Sequence, residues 1–337
     1  MAYDAFLLVS FGGPEGTDDV MPFLRNVTRG RGIPEDRLLA VAEHYYHFGG
    51  VSPINGQCRD LIAALGKEID LPIYWGNRNW APYLSDTVAT MRDDGVEHAI
   101  AFVTSPYGSY SSCRQYLDDI DRARATVGAG APVIDKIRHY HDHPGYIEAH
   151  AEGVRAALAQ LPPGEPRLVF TAHSIPTSAA ATAGPDGGTH RYETQLREAA
   201  ALVADAVAPG VTWDFAWQSR SGPPQVPWLA PDINDHLRAL AADGVTSAVV
   251  SPIGFISDHL EVAWDLDNEA AATARELGIG FARAATPGTH PAFVSMVAEL
   301  VRERTDSAPV RKLGTVPCWN SCPVGCCPAP ARPGTRP

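Results

Sequence analysis

The sequence predicts an α/β protein of two tandem four-stranded parallel sheets, each flanked by helices, with a ligand cleft between them. Three observations carry this expectation. Short apolar runs alternate with longer stretches of helical spacing along the chain, the order that βαβ units impose. Strands fall at 5–10, 72–75, 99–104 and 132–137, then at 168–172, 212–217, 247–251 and 280–284, four on each side of residue 150. The two halves also share punctuation: Asp94-Gly95-Val96 and Asp243-Gly244-Val245 end a helix, an apolar strand follows, and Ser105-Pro106-Tyr107-Gly108 and Ser251-Pro252-Ile253-Gly254 close it.

The strand at 5–10 runs into Phe11-Gly12-Gly13-Pro14 and the strand at 168–172 into His173-Ser174-Ile175-Pro176, so both end in small residues and a proline. Apolar residues at helical spacing mark 57–69, 150–160, 192–207 and 233–242. A duplicated domain explains the pairing, although Asp-Gly after a helix is also a common stop signal. The expected units are 1–150, 151–315 and a Cys-rich tail at 316–337. Open α/β sheets bind ligands beyond the carboxyl ends of their strands, so two facing sheets would line a cleft with those ends. The Gly-rich segment 179–189 reads as an exposed loop beside it, and the chain from Pro328 onward as frayed.

Composition narrows the function. With 27 basic and 39 acidic side chains the formal charge is −12, the opposite of a nucleic-acid footprint. No run approaches the roughly 18–20 apolar residues that a membrane span needs, and Met1-Ala2-Tyr3-Asp4-Ala5 does not open a signal peptide, so a cytoplasmic protein is expected.

Two clusters can carry chemistry. Glu261, Asp265 and Glu269 recur every four residues beyond a strand end and form one acidic ridge on a helix. Like charges so spaced repel unless a cation or proton is shared; a solvated acidic face is the alternative. His173, at the end of another strand, can be a base or metal ligand near its ordinary pKa of about 6.5, or a hydrogen-bonded structural residue. Cys318, Cys322, Cys326 and Cys327 supply four thiols in ten residues, enough for a [2Fe–2S] cluster or for zinc, while Cys58 reads as a core residue.

The strings Leu7-Leu8-Val9-Ser10-Phe11-Gly12-Gly13-Pro14, Phe48-Gly49-Gly50-Val51-Ser52-Pro53-Ile54-Asn55, Thr171-Ala172-His173-Ser174-Ile175-Pro176, Trp217-Gln218-Ser219-Arg220, Pro252-Ile253-Gly254-Phe255 and His259-Leu260-Glu261 closely resemble ferrochelatase. They occur in the family's order over nearly the whole chain. The resemblance implies two Rossmann-like domains of the class II chelatase kind, inserting ferrous iron into a free-base porphyrin with release of two protons. It implies His173 as base or iron ligand, Glu261 as its facing partner in proton removal, and Asp265 and Glu269 as a metal or proton path.

The tail cysteines and the string Asn26-Val27-Thr28-Arg29-Gly30-Arg31-Gly32 resemble actinobacterial members of the coproporphyrin-specific branch. Coproporphyrin III carries four propionates, and Arg29, Arg31, Ser52 and Tyr116 sit where the resemblance places their contacts, solvated arginines being the bland alternative for the first two. Protoporphyrin IX remains the alternative substrate. The sequence departs from some bacterial members at Phe11, where they carry tyrosine, and at His44, where they carry arginine. The resemblance further implies a [2Fe–2S] cluster on one internal and three tail cysteines, namely Cys113, Cys318, Cys322 and Cys327, with Cys326 as the alternative. Its reactive product would pass to a downstream coprohaem decarboxylase. A porphyrin carrier without turnover, and a chelatase loading another metal into another tetrapyrrole, are the competing readings.

Overall fold

The computed structural model describes residues 2–185, 190–222 and 224–329. The first half runs β1 (Ala5–Ser10), α1 (Thr17–Val27), α2 (Glu35–His47), α3 (Pro53–Leu65), β2 (Ile73–Asn77), α4 (Leu84–Asp93), β3 (His98–Val103), a π turn at Tyr110–Arg114, α5 (Gln115–Val127) and β4 (Val133–Lys136). The second runs α6 (Pro144–Leu158), β5 (Arg167–His173), α7 (Thr177–Ala181), α8 (Arg191–Val207), β6 (Trp213–Gln218), α9 (Ile233–Ala242), β7 (Ser247–Ser251), α10 (Leu260–Val262), a π-helical stretch at Ala263–Ala270, α11 (Ala271–Leu277), β8 (Gly280–Arg283) and α12 (Pro291–Thr305).

All strand pairs are parallel, in the orders β2-β1-β3-β4 and β6-β5-β7-β8. The second order repeats the first strand for strand, as a duplication requires. All eight strands lie within two residues of their expected bounds. Their near-continuous apolar runs follow from burial on both faces. Phe6 and Leu8 enter a core shared with β5, β7, α6 and α12, while Leu7 and Val9 face α4 and α5.

Helix starts differ from the sequence reading. The helix expected at 57–69 begins at Pro53 and ends at Leu65, and the one expected at 150–160 begins at Pro144, where the His143 Nδ1 accepts from the Gly145 N–H at 3.1 Å. Proline fits the first helical position, because its missing N–H would have no partner there. α6 passes through residue 150 and packs on β7 and β8. The segment expected as an exposed loop at 179–189 starts inside α7, with Ala179 and Ala180 buried; 186–189 lie outside the described residues, as do residues 330–337 of the tail expected to fray.

Candidate active site

In each sheet the chain leaves the first strand on one side and returns on the other. Its switch points therefore lie at the carboxyl ends of β1 and β5. His173 is the last residue of β5, paired with Gln218. A Cβ on Gly254 would come within 2.6 Å of the Ala172 Cβ, so the loop after β7 closes onto β5 one residue before His173. Just after β1, Gly12 has φ +81°, and a Cβ there would meet Asn77 at 2.8 Å, so only glycine lets the turn lie this close to β2.

His173 points its Nδ1 at the Ser174 carbonyl, an acceptor only, so Nδ1 carries the hydrogen and the Nε2 lone pair faces outward. Nε2 lies 3.7 Å from Oε2 of Glu261. The side chains keep 33% and 41% of their surface open, yet the surrounding walls desolvate both. Burial lowers the His173 pKa, against the Ser174 contact and Asp265, and raises the Glu261 carboxyl to about 7. Both groups therefore favour their neutral forms.

Glu261 sits in the first turn of α10, whose start is capped by His259, its Nδ1 accepting from the Val262 N–H at 3.4 Å. Beyond it the helix widens into the π stretch at Ala263–Ala270. Residues four apart lie on one side of the helix, and Asp265 feels both Glu261 and Glu269. Asp265 is raised to about 7 by burial, then by Glu261, while the Ser219 hydroxyl donates to its Oδ2. Ser219 holds φ +60°, a backbone that costs a non-glycine residue roughly 1–3 kcal/mol and that here aims its hydroxyl at Asp265. Glu269 is exposed and accepts from the Trp264 indole at 2.8 Å. The ridge thus runs from His173 to the surface.

α2 closes the opposite wall. His44 stacks on Trp264, Phe48 meets its edge, and the pKa of the half-buried Tyr45 phenol is pushed up by desolvation and by Glu261. The ferrochelatase family model matches residues 3–305. This chain belongs to the ferrochelatase family. It is 56% identical to the coproporphyrin III ferrochelatase of Nocardia farcinica, covering 99% of each chain. It is 54% identical to that of Mycolicibacterium smegmatis, covering 98% of this chain and 99% of the relative. Among solved structures it resembles SirB from Bacillus subtilis with Fe3+ (TM-score 0.56, 12% identity, 89% of this chain and 95% of that one). CbiX, the terminal enzyme of sirohaem biosynthesis in denitrifying bacteria, matches at TM-score 0.50 and 15% identity, over 89% of this chain and 99% of that one. These likenesses place the fold in the class II chelatase group.

The other residues singled out in this ferrochelatase belong to the first half of the chain. Arg29 and Arg31 are exposed on the turn after α1, without an ion-pair partner among the described residues. Ser52 is buried under Gly13, where an added Cβ would come within 2.6 Å. Tyr116 is buried against the Arg78 guanidinium, 4.4 Å from its ring centroid, and Arg78 also faces Phe11 and pairs with Asp119. Arg78 and Tyr45 went unnoticed in the sequence, and Ser219 entered only within the string Trp217-Gln218-Ser219-Arg220.

The tail cysteines divide. Cys322 lies between the thiols of Cys113 and Cys326, and the Cys326 Sγ is 3.8 Å from that of Cys327. Cys327 Sγ also accepts from the Gly184 N–H at 3.2 Å. Cys318 instead adjoins Gln195 and His141, at 3.8 and 3.9 Å. No described helix is long and apolar enough to cross a membrane.

Proposed function

We infer that this ferrochelatase inserts ferrous iron into coproporphyrin III, yielding coprohaem and two protons, in haem biosynthesis. The observation that carries the mechanism is the His173 Nε2 lone pair facing Glu261. A free-base porphyrin must lose two pyrrole protons as iron enters. Nε2 is unprotonated at neutral pH and takes the first, or meets the iron; Glu261 and Asp265, both near 7, accept and release protons at the pH where the reaction runs. Asp265 and Glu269 carry them, or the hydrated cation, between cleft and solvent. The coproporphyrin assignment is supported by the relatives, which bear that name at 52–56% identity. Arg29, Arg31, Ser52 and Tyr116 are the proposed propionate contacts. The product would pass to a coprohaem decarboxylase in the cytoplasm.

The thiols of Cys113, Cys322, Cys326 and Cys327 fit a [2Fe–2S] cluster. They form one contiguous chain, none is in a disulfide, and three of the four are buried. Iron on four thiolates would tie the tail to the body of the chain, since insertion changes no oxidation state. Anaerobic insertion assays with coproporphyrin III and protoporphyrin IX offered separately test the function. Turnover of coproporphyrin alone is the expected result, whereas binding of both without insertion would make the protein a carrier.

A further inference from the structure

Cys318 does not join the other thiols, and its surroundings have a chemistry of their own. A ring nitrogen of His141, a carboxylate oxygen of Asp142 and Cys318 Sγ all lie within 4.8 Å of one another. His141 and Asp142 are fully buried, and neither Asp142 oxygen has a hydrogen-bond partner. A buried carboxylate without hydrogen bonds is costly, so Asp142 retains both oxygens for a further donor or cation. Arg138 faces it as a charge without a hydrogen bond: its Nη1 stands 3.7 Å from Asp142 Oδ1, while four of its five N–H groups go to Glu303 and to the carbonyls of His139 and Arg311.

The outer contacts match those of a metal-bound imidazole. His141 Nε2 meets Glu198 Oε2 at 3.0 Å, which fixes the hydrogen on Nε2 and turns the Nδ1 lone pair toward Cys318, 3.9 Å away. Tetrahedral zinc, with bonds of about 2.0 Å to nitrogen and 2.3 Å to sulfur, would set that pair about 3.5 Å apart. The other Glu198 oxygen holds the tail: Oε1 accepts from the Thr315 and Val316 N–H groups at 2.6 and 3.1 Å. Gly314 makes this approach possible, because a Cβ there would lie 2.3 Å from the Glu198 carboxylate and 2.9 Å from the Asp142 Cβ.

We propose that His141, Asp142 and Cys318 bind one zinc ion, separate from both the cleft and the other four thiols, and that this ion clasps residues 313–318 to the body of the enzyme. Imidazole, carboxylate and thiolate form a donor set that zinc accepts, with water as the fourth ligand. The proposal does not depend on the cluster reading.

Cobalt(II) is the probe, added to full-length protein purified anaerobically and freed of loosely held metal. One equivalent should give a thiolate-to-cobalt charge-transfer band and tetrahedral visible bands in the difference spectrum, both displaced by zinc. Among the described residues no thiol adjoins His173, Glu261 or Asp265, so cobalt bound by them cannot produce that band. Cys318→Ser and Asp142→Asn should each weaken binding at least 100-fold while leaving any cluster absorption and iron content unchanged. Glu198→Gln should weaken it about 10- to 100-fold, and zinc should slow proteolysis of the tail in the wild type only. The proposal is overturned by absence of a one-equivalent thiolate band, by its persistence in Cys318→Ser, by its loss in Cys322→Ser, or by loss of cluster iron in Cys318→Ser, which would make Cys318 a cluster ligand. A wild type that lacks cluster iron but shows the Cys318-dependent band refutes the cluster and leaves the zinc site standing.

Discussion

His44 lies flat on Trp264, ring centroids 3.9 Å apart and planes within 6°, so a helix of the first half grips the acidic helix of the second across the cleft. The same indole donates to Glu269. Trp264→Ala removes both contacts. A stacked aromatic pair is worth about 1 kcal/mol beyond its buried area, so Tm should fall by a few degrees. The porphyrin KM should rise several-fold with kcat changed less, since His173 and Glu261 keep their places. Steady-state kinetics and a thermal melt check this, and an unchanged KM would remove the stack from substrate binding.

His173→Ala should lower insertion by roughly 100- to 10,000-fold, the range expected when a positioned base is lost. The fold should survive, because within the described residues the ring bonds only to the Ser174 carbonyl and faces Glu261. Glu261→Gln keeps the shape and removes the charge, and should slow insertion severely. Near-normal turnover with an unaltered circular dichroism spectrum in either variant would end that residue's role.

The raised carboxyls predict a pH response in both rate and stability. Insertion should increase as pH rises through about 7, where Glu261 and Asp265 ionise while His173, its pKa lowered by burial, is already neutral. For stability, Glu261 moves from 4.5 to about 7 on folding, so between those values the folded state holds a proton that the unfolded chain has released. Its stabilising contribution is complete below 4.5 and is lost as pH rises through 7. Glu261→Gln abolishes that loss, so the Tm of the variant should gain on the wild type between pH 5 and pH 8. Parallel melts at the two pH values test the sign; an equal difference at both would show that Glu261 is not desolvated.

Arg29 and Arg31 bear on which porphyrin is preferred. Both are exposed, so each charge-assisted bond to a propionate is worth less than its buried counterpart. Arg29→Ala with Arg31→Ala should raise the KM for coproporphyrin III roughly 3- to 10-fold and affect protoporphyrin IX less. Equal effects on both substrates would make the two arginines solvated surface residues.

The strands were legible because sheets covered on both faces leave unbroken apolar runs, as in Leu7-Leu8-Val9; His173 stood out because it ends such a run, and Glu261, Asp265 and Glu269 because they recur every four residues. Helix starts at Pro53 and Pro144 were missed, since proline reads as an interruption although it is well suited to the first helical turn. Contacts between distant segments left no local trace. Neither His44 against Trp264 nor Arg78 between Phe11 and Tyr116 follows any periodicity, and the separation of Cys318 from the other thiols depends on Glu198 and Gly314 holding the tail.

Cys113 provides the sharpest test of the cluster, because it is the only one of the four thiols that lies in the body of the chain. It is 2% exposed in the turn at Tyr110–Arg114 and meets the tail at Cys322. Cys113→Ser changes one atom in that contact, so iron content and the visible colour of a [2Fe–2S] centre should disappear. Cys58→Ser is the matching control: Cys58 is equally buried, but its thiol donates to the Ser10 hydroxyl at 3.3 Å, and the colour should remain. Because insertion needs no electron transfer, Cys113→Ser should lower activity only as far as it lowers Tm. Colour retained in Cys113→Ser would move the internal ligand elsewhere, and activity lost at unchanged Tm would give the cluster a part in the reaction itself.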